Sequence, residues 1–258
     1  MSRVPVTIVV PVRNEDARIA DFVAAHAWAA ECIVVDNGST DETVARATAA
    51  GARVLHAPGV TIGAARNVGI AAATTAWVLS LDADEEADPA LADELRRVLA
   101  APTCGAYRIR RRNLYLGREQ TRGSWGNDWV LRLAPQTARY DDVAVHERLL
   151  APAPHGDLVA TLRHEPYRDL SHHLAKMDQY ARWGAERLYA EGRRAGVLDL
   201  TLRPLWRFLK AYFVTGHCLD GRFGLVTALL GAQTAFLKYA HLWAMERNGE
   251  RSVGTSKQ

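Results

Sequence analysis

The sequence predicts an α/β fold, with a mostly parallel sheet flanked by helices and a helical extension at the C-terminal end. Three observations lead there. Short β-branched runs alternate with helical stretches through the first hundred residues. Past residue 105 the pattern gives way to strand-like segments around a Gly-, Arg- and Trp-rich stretch. From Leu170 onward the apolar spacing is helical.

In chain order, residues 7–12 form a β-branched strand that ends in polar Arg13-Asn14-Glu15-Asp16. Ile19, Phe22, Val23 and His26 then fall at helical spacing. Residues 32–35 are a second buried strand, followed by Asp36-Asn37-Gly38. Ser39 and Glu42 have the spacing of a capping box that would open the next helix. Residues 53–56 are a third strand and residues 63–73 a small-residue helix. Residues 77–81 are a fourth strand, running into Asp82-Ala83-Asp84. Asp88-Pro89 reads as N-cap and first residue of a helix whose inner face carries Leu91, Leu95, Val98 and Leu99. Strand–helix alternation of this length implies parallel strands with helical crossovers. Beyond it, residues 107–112 read as a strand-like basic stretch, residues 117–129 as an exposed loop, and residues 142–150 and 158–164 as strands of an antiparallel extension. Residues 1–168 are thus expected to form the α/β domain, residues 169–246 a helical region, and residues 247–258 a disordered tail.

The 258 residues are 48% hydrophobic and 24% charged, enough for a sizeable core. A net charge of +3 is too small to argue for nucleic acid, and none is expected as a partner. From Leu200 to the end, however, eight Lys and Arg stand against three acids. That imbalance on an apolar segment points to an anionic membrane surface. Three scattered cysteines, Cys32, Cys104 and Cys218, form neither a disulfide framework nor a zinc motif, which suits a reducing cytoplasm. The N-terminal residues lack the pattern of a signal peptide.

The chemistry gathers at strand ends, where open α/β sheets bind ligands. Asp82 and Asp84 are costly to bury without a cation, and hard oxygen donors suit Mg²⁺ or Mn²⁺ bridging to phosphates. A solvated acidic turn is the other reading, since Glu85, Glu86 and Asp88 follow. Asp36 suits a ribose or base contact and a plain Asp-Asn-Gly turn about equally. Arg66, at the start of the small-residue helix, can grip phosphate or face solvent. No GxGxxG follows the first strand and no Gly-Lys-Ser/Thr occurs, so a dinucleotide oxidoreductase and a P-loop enzyme are both disfavoured.

Four segments occur in an order that resembles glycosyltransferase family 2: Val10-Pro11-Val12-Arg13-Asn14-Glu15, Val35-Asp36-Asn37-Gly38-Ser39-Thr40-Asp41, Gly63-Ala64-Ala65-Arg66-Asn67-Val68-Gly69 and Leu79-Ser80-Leu81-Asp82-Ala83-Asp84-Glu85. Arg132-Leu133, Val145-His146-Glu147, Arg203-Pro204-Leu205-Trp206-Arg207-Phe208 and Phe236-Leu237-Lys238-Tyr239-Ala240 extend the likeness toward the branch that adds glucose or heptose to the lipopolysaccharide inner core. The resemblance implies a GT-A fold, the nucleotide-diphospho-sugar transferase type, and inversion at the anomeric carbon. It implies a UDP-sugar donor, a glycolipid or polysaccharide acceptor, and Mn²⁺ or Mg²⁺. By position, Pro11, Asn14 and Glu15 would line the nucleotide pocket and Asp36 would contact the base. Arg66 would face the diphosphate, with Asp82 and Asp84 on ribose and metal. Asn37 departs from the family pattern.

Inversion needs a general base for the acceptor hydroxyl. Glu147 is the first candidate and Asp128 the second. An ion pair with a nearby arginine is the competing role for Glu147. His164, and with less support His146, are candidates for a third metal ligand. Trp125 and Trp129 can stack on an acceptor sugar or simply pack the loop. Another metal- and nucleotide-dependent transferase, and an inactive scaffold of the same fold, are the alternatives. The first would need a basic Gly-rich loop near the first strand, which is lacking, and the second sits poorly with Asp82, Asp84 and Glu147 all present.

In the C-terminal region, Leu202, Leu205, Trp206, Leu209 and Phe213 share a helical face while Arg203, Arg207 and Lys210 fall on another. That is a basic amphipathic helix suited to a membrane interface. Residues 223–237 are apolar but shorter than the roughly 20 residues that span a bilayer. The expected location is the inner face of the cytoplasmic membrane, by peripheral contact. Core closure or a homo-oligomer contact is the other use of these helices.

Overall fold

The computed structural model describes residues 2–141 and 147–254. Two compact units emerge: Met1–Leu114 with Asn127–Pro166, and Tyr115–Gly126 with Tyr167–Gln258. One division between the units falls between Pro166 and Tyr167. The transfer of residues 115–126 to the second unit is not foreseeable from sequence pattern.

The first unit opens with β1 (Val4–Val12), α1 (Ile19–Ala25), β2 (Ala29–Asp36), α2 (Thr43–Ala49), β3 (Arg53–His56), α3 (Ile62–Ala72) and β4 (Trp77–Ser80). It continues with β5 (Glu85–Ala87), α4 (Leu91–Ala100) and β6 (Ala106–Tyr115), whose last residue joins the second unit. The short β7 (Arg118–Glu119) also belongs to the second unit. Then come β8 (Asp128–Pro135), β9 (Arg139–Tyr140), β10 (Leu149–Leu150) and β11 (His155–His164).

The main sheet runs β3-β2-β1-β4-β8-β6-β11-β5. The β1/β2, β2/β3, β1/β4 and β6/β11 pairs are parallel, and β8 and β5 pair antiparallel to their neighbours. The expected mostly parallel sheet is therefore present. Its later half carries antiparallel pairs, β4/β8, β8/β6 and β11/β5, and departs from the expected antiparallel extension where β11 lies parallel to β6.

Period-two alternation in β1 explains the two layers. Val4, Val6, Ile8, Val10 and Val12 pack with Ile19, Phe22, Leu91 and Leu95 of α1 and α4 on one face. Val9 points the other way, into a cluster with Ile33, Val35, Ala65 and Ile70 under α3. A Cβ at Gly69 would lie 2.4 Å from Val9 Cγ1, so α3 approaches the sheet only because that residue is glycine.

Several local expectations need correction. No capping box forms at Ser39: α2 begins at Thr43 without a side-chain cap, and Ser39 Oγ instead accepts from Asn14 N at 3.0 Å. The helix expected at Asp88-Pro89 starts at Leu91, with Asp88 Oδ1 accepting from Ala90 N at 2.8 Å. The stretch 117–129 is not all loop. It holds β7, a 3-10 turn at Gly123–Trp125, and the first residues of β8, Asp128 and Trp129. Of the strand expected over 142–150, only Leu149–Leu150 is seen, and residues 142–146, including His146, lie outside the described residues.

The second unit is helical: α5 (Leu170–Ala190), α6 (Val197–Leu209) and α7 (Gly221–Gly254). Its small core joins Ala185 and Leu188 to Tyr239 and Leu242. Helix α7 runs on through Gly254, past Arg247, where the sequence suggests the ordered chain ends. Among the described residues no helix is long and apolar enough to cross a membrane.

Candidate active site

β1 lies between β2 and β4, and sheet growth changes direction there: β2 and β3 add on one side, β4 on the other. Ligands bind at such a switch point, outside the carboxyl ends of the strands. Register places the three polar clusters together at that end. Val12 is opposite Asp36, and Val9 is opposite Ser80, two residues before Asp82.

Asn14 follows β1 with φ of 58°, a left-handed conformation that asparagine tolerates better than most residues. Its Oδ1 accepts from Thr40 N at 2.8 Å, tying the β1 end to the β2 end. Glu15 N donates to Thr43 Oγ1 at 2.8 Å, and the Glu15 carboxylate pairs with Arg18 at 3.4 Å. Asp36 is buried and accepts from Gly38 N and Ser39 N at 3.3 and 3.1 Å. Burial pushes its carboxyl up, but the Ser39 and Gly38 donors and His56 outweigh this and hold it below the usual carboxylate range. The turn reading of Asp36 is thus realised in these bonds, and a base contact would have to share the carboxylate with them. Pro11 is half-buried near the end of β1, opposite Val35.

Arg66, two per cent exposed, projects from α3 beneath this end of the sheet. It donates to Ser80 Oγ at 2.8 Å and to Asp82, and its Nε lies 3.4 Å from Glu147. Arg132 of β8, also buried, donates to the other Asp82 oxygen and to Glu85 at 2.6 Å. Desolvation pushes the Asp82 carboxyl up, yet Arg132 and Arg66 beside it hold it well below the usual carboxylate range. Both guanidiniums are correspondingly held above their ordinary value, against the cost of burial. The metal role expected for Asp82 therefore does not fit the geometry, since both its oxygens are engaged by arginines. Glu85 is no solvated acid either. It is fully buried, accepts from Arg132, from Arg111 at 3.3 Å and from Asp82 N at 3.0 Å.

Asp84 is placed differently. His164, at the end of β11, sets Nε2 3.6 Å from Asp84 Oδ1. His164 Nδ1 meets Asn113 Oδ1 at 2.5 Å. An amide oxygen only accepts, so Nδ1 carries the proton of that bond, and the other ring nitrogen, Nε2, is the one turned toward Asp84. Asn113 in turn donates from Nδ2 to Asp128 at 3.0 Å, and Asp128 is clamped by Arg111 at 2.8–2.9 Å. The chain Asp128–Asn113–His164 is the kind of outer support that fixes the tautomer of a metal-ligating histidine. Two of the three expected ligands, Asp84 and His164, are brought together, and a carboxylate with an imidazole suits Mn²⁺ or Mg²⁺ joined by diphosphate oxygens. No group of three or more such side chains forms a metal cluster among the described residues.

Asp128 thus buttresses Asn113, with Oδ2 shared between Arg111 and Asn113. Glu147 stays beside the site: Gly63 of α3 leaves room for it, since a Cβ there would come within 3.2 Å of Glu147 Cβ. Trp129, in β8, donates to Asn127 Oδ1 at 3.1 Å and carries Arg108 over its ring. Trp125 belongs to the second unit and stacks on Tyr167 there. Arg132, Arg111, Asn113 and the buried Glu85 are site residues that no single motif flags. The family likeness touched two of them, Arg132 in Arg132-Leu133 and Glu85 at the end of the Asp82 segment.

The sequence profile described as glycosyl transferase family 2 matches residues 7–144, more than half of the chain. The chain belongs to this family and is a glycosyltransferase; its mostly parallel sheet with a helical C-terminal part is the GT-A arrangement that membership implies. Among relatives, it is 27% identical to the lipopolysaccharide core biosynthesis glycosyltransferase LpsC of Rhizobium meliloti, over 93% of each chain. It is also 27% identical to an uncharacterized glycosyltransferase of Rickettsia typhi, over 89% of this chain and 84% of that one. Among solved structures, glucosyl-3-phosphoglycerate synthase from Mycobacterium tuberculosis, in complex with Mn²⁺, UDP and glucosyl-3-phosphoglycerate, is 28% identical with a TM-score of 0.36. That match covers 42% of this chain and spans less than half, 44%, of that enzyme.

Proposed function

We propose that the protein is an inverting glycosyltransferase that moves a hexose or heptose from a UDP-sugar to a cell-envelope glycolipid or polysaccharide, such as lipopolysaccharide core. The observation that carries the reading is the Asp84–His164 pair, oriented through Asn113 and Asp128, beside the strand ends that bear Asn14, Asp36 and Asp82. The similarity to LpsC supports the acceptor class.

In this mechanism Asn14, Glu15 and Asp36 bound the nucleoside part of the donor, with Pro11 at its edge. Asp84 and His164 would hold the divalent cation, which when bound offsets charge on the leaving diphosphate. Asp82 acts differently from the expectation. It fixes Arg66 and Arg132 in place, so that positive charge stands ready near the phosphates. Glu147, beside Arg66, takes the proton from the attacking acceptor hydroxyl as the new glycosidic bond forms and the sugar–phosphate bond breaks. The exposed apolar face of α6 supports peripheral contact with a membrane that carries the acceptor.

The test is a donor panel. The full chain is incubated with Mn²⁺ and UDP-, GDP-, dTDP- and ADP-sugars, and nucleotide release is measured. Release from a UDP-sugar above the others supports the proposal. Release from none, with or without a lipopolysaccharide-core acceptor, would overturn it.

A further inference from the structure

The second unit holds a cavity of its own, about 520 Å³, within the roughly 300–1,000 Å³ usual for small-molecule sites. One wall is aromatic. Trp125 stacks on Tyr167 with ring centroids 6.2 Å apart and planes 23° from parallel, and Tyr167 stacks on His173 at 4.0 Å. Flat aromatic surface of this kind suits the apolar face of a sugar ring.

The opposite chemistry is cationic. Arg122, Arg207 and Lys210 line the cavity, and no Asp or Glu is among its described lining residues. Asp220 pairs with Arg122 at 3.4 Å, but it also pairs with Arg118 at 3.5 Å and so is shared. Arg207 and Lys210 take no ion-pair partner among the described residues. Burial, with His172 beside it, holds His173 below the usual imidazole range, so this ring adds no positive charge at neutral pH.

An independent feature points to a ligand. Gln120 lines the same cavity and is only six per cent exposed, yet its Nε2 has no hydrogen-bond partner. A buried amide donor left unpaired costs about 1–3 kcal/mol, so such groups call for an explanation. An acceptor oxygen of a bound molecule supplies one. The hydroxyls of Thr227 and Thr234 donate to backbone carbonyls, which leaves their oxygens free to accept from ligand hydroxyls.

We infer that this cavity binds a saccharide bearing a phosphate or carboxylate, the ring against Trp125 and Tyr167 and the anion against Arg207 and Lys210. A ring wall, unshared cations, an orphaned amide donor and hydroxyl acceptors are together what such a molecule requires, and a neutral sugar leaves the cations unused. The inference rests on the proposed function only in taking this saccharide to be the charged part of the acceptor. Binding itself does not depend on it.

The experiment is calorimetric titration of the full chain with glucose 6-phosphate, glucuronate, glucose and inorganic phosphate, and with phosphatidylglycerol vesicles as a separate arm. Glucose 6-phosphate or glucuronate should bind more tightly than either glucose or inorganic phosphate. Arg207→Ala with Lys210→Ala, both exposed, on α6 and just after its end, should weaken that binding at least about tenfold, as loss of charge-assisted hydrogen bonds implies. Gln120→Leu should weaken it too, while UDP binding, measured in parallel as a control for folding, stays unchanged. Equal affinity for glucose, indifference to these substitutions, or vesicle binding without sugar binding would overturn the inference. Donor turnover that persists when no charged sugar binds sinks the cavity reading alone. Charged-sugar binding without any donor turnover sinks the transfer reading alone.

Discussion

At the scale of single residues, Asp82 and Asp84 show how two carboxylates one residue apart take opposite duties. Asp82 faces inward onto Arg66 and Arg132, and Asp84 turns toward His164. Removing the Asp82 charge leaves two buried guanidiniums partly uncompensated. Asp82→Asn should therefore cost on the order of 2 kcal/mol in urea unfolding, less than the 3–5 kcal/mol of a fully broken buried pair because Glu85 and Glu147 remain. The sign with pH follows from the depressed carboxyl. Its stabilisation is present above the unfolded value of about 3.9 and is lost as pH falls toward the folded value. The wild type should lose stability between pH 5 and pH 3 more steeply than Asp82→Asn, as chemical denaturation at each pH will show. For Asn113, replacement by Ala frees the His164 ring. Mn²⁺ affinity should drop by roughly 10–100-fold, the usual effect of losing such outer support, read by metal titration followed by tryptophan fluorescence.

At the scale of elements, helix α3 sets the site by how closely it packs. Gly69 lets it lie on Val9 and Val35, and Gly63 lets residue 141 and Glu147 approach it. Gly69→Ala should destabilise by about 1–3 kcal/mol through overpacking, measurable as a lower urea midpoint with unchanged slope. Helix α6 makes a second case. None of its residues is buried, and Trp206 and the following Phe213 are 63% and 61% exposed. The protein should float with anionic liposomes and detach in high salt, and Trp206→Glu with Phe213→Glu should abolish flotation. A soluble dimer that dissociates in that variant, with no flotation of the wild type, would assign the face to self-association instead.

For the whole molecule, the strands and helices of the first hundred residues were legible because period-two and helical spacing dominate them: Thr7, Ile8 and Val9 could only be a buried strand. What was not legible depended on pairings distant in sequence. Nothing local to Asn113, Arg111 or Arg132 shows that they converge on Asp82, Glu85, Asp128 and His164. Glu85 looked solvated because Glu86 and Asp88 follow it, and its burial depends on Arg132 arriving from β8, 47 residues later. The Ser39 capping box failed for a similar reason, with Asn14 claiming the serine hydroxyl across 25 residues. Asp128 was read as a loop acid and stands in a strand, where it contacts Asn113 and through it His164.

The proposed transfer depends most directly on Asp84. The decisive measurement is nucleotide release from UDP-glucose with Mn²⁺, for the wild type and for Asp84→Ala shown by circular dichroism to be folded. We expect measurable release from the wild type and a loss of at least about a hundredfold in the variant, of the order that removing one electrostatic stabiliser of the transition state costs. Undiminished release by Asp84→Ala would contradict the account.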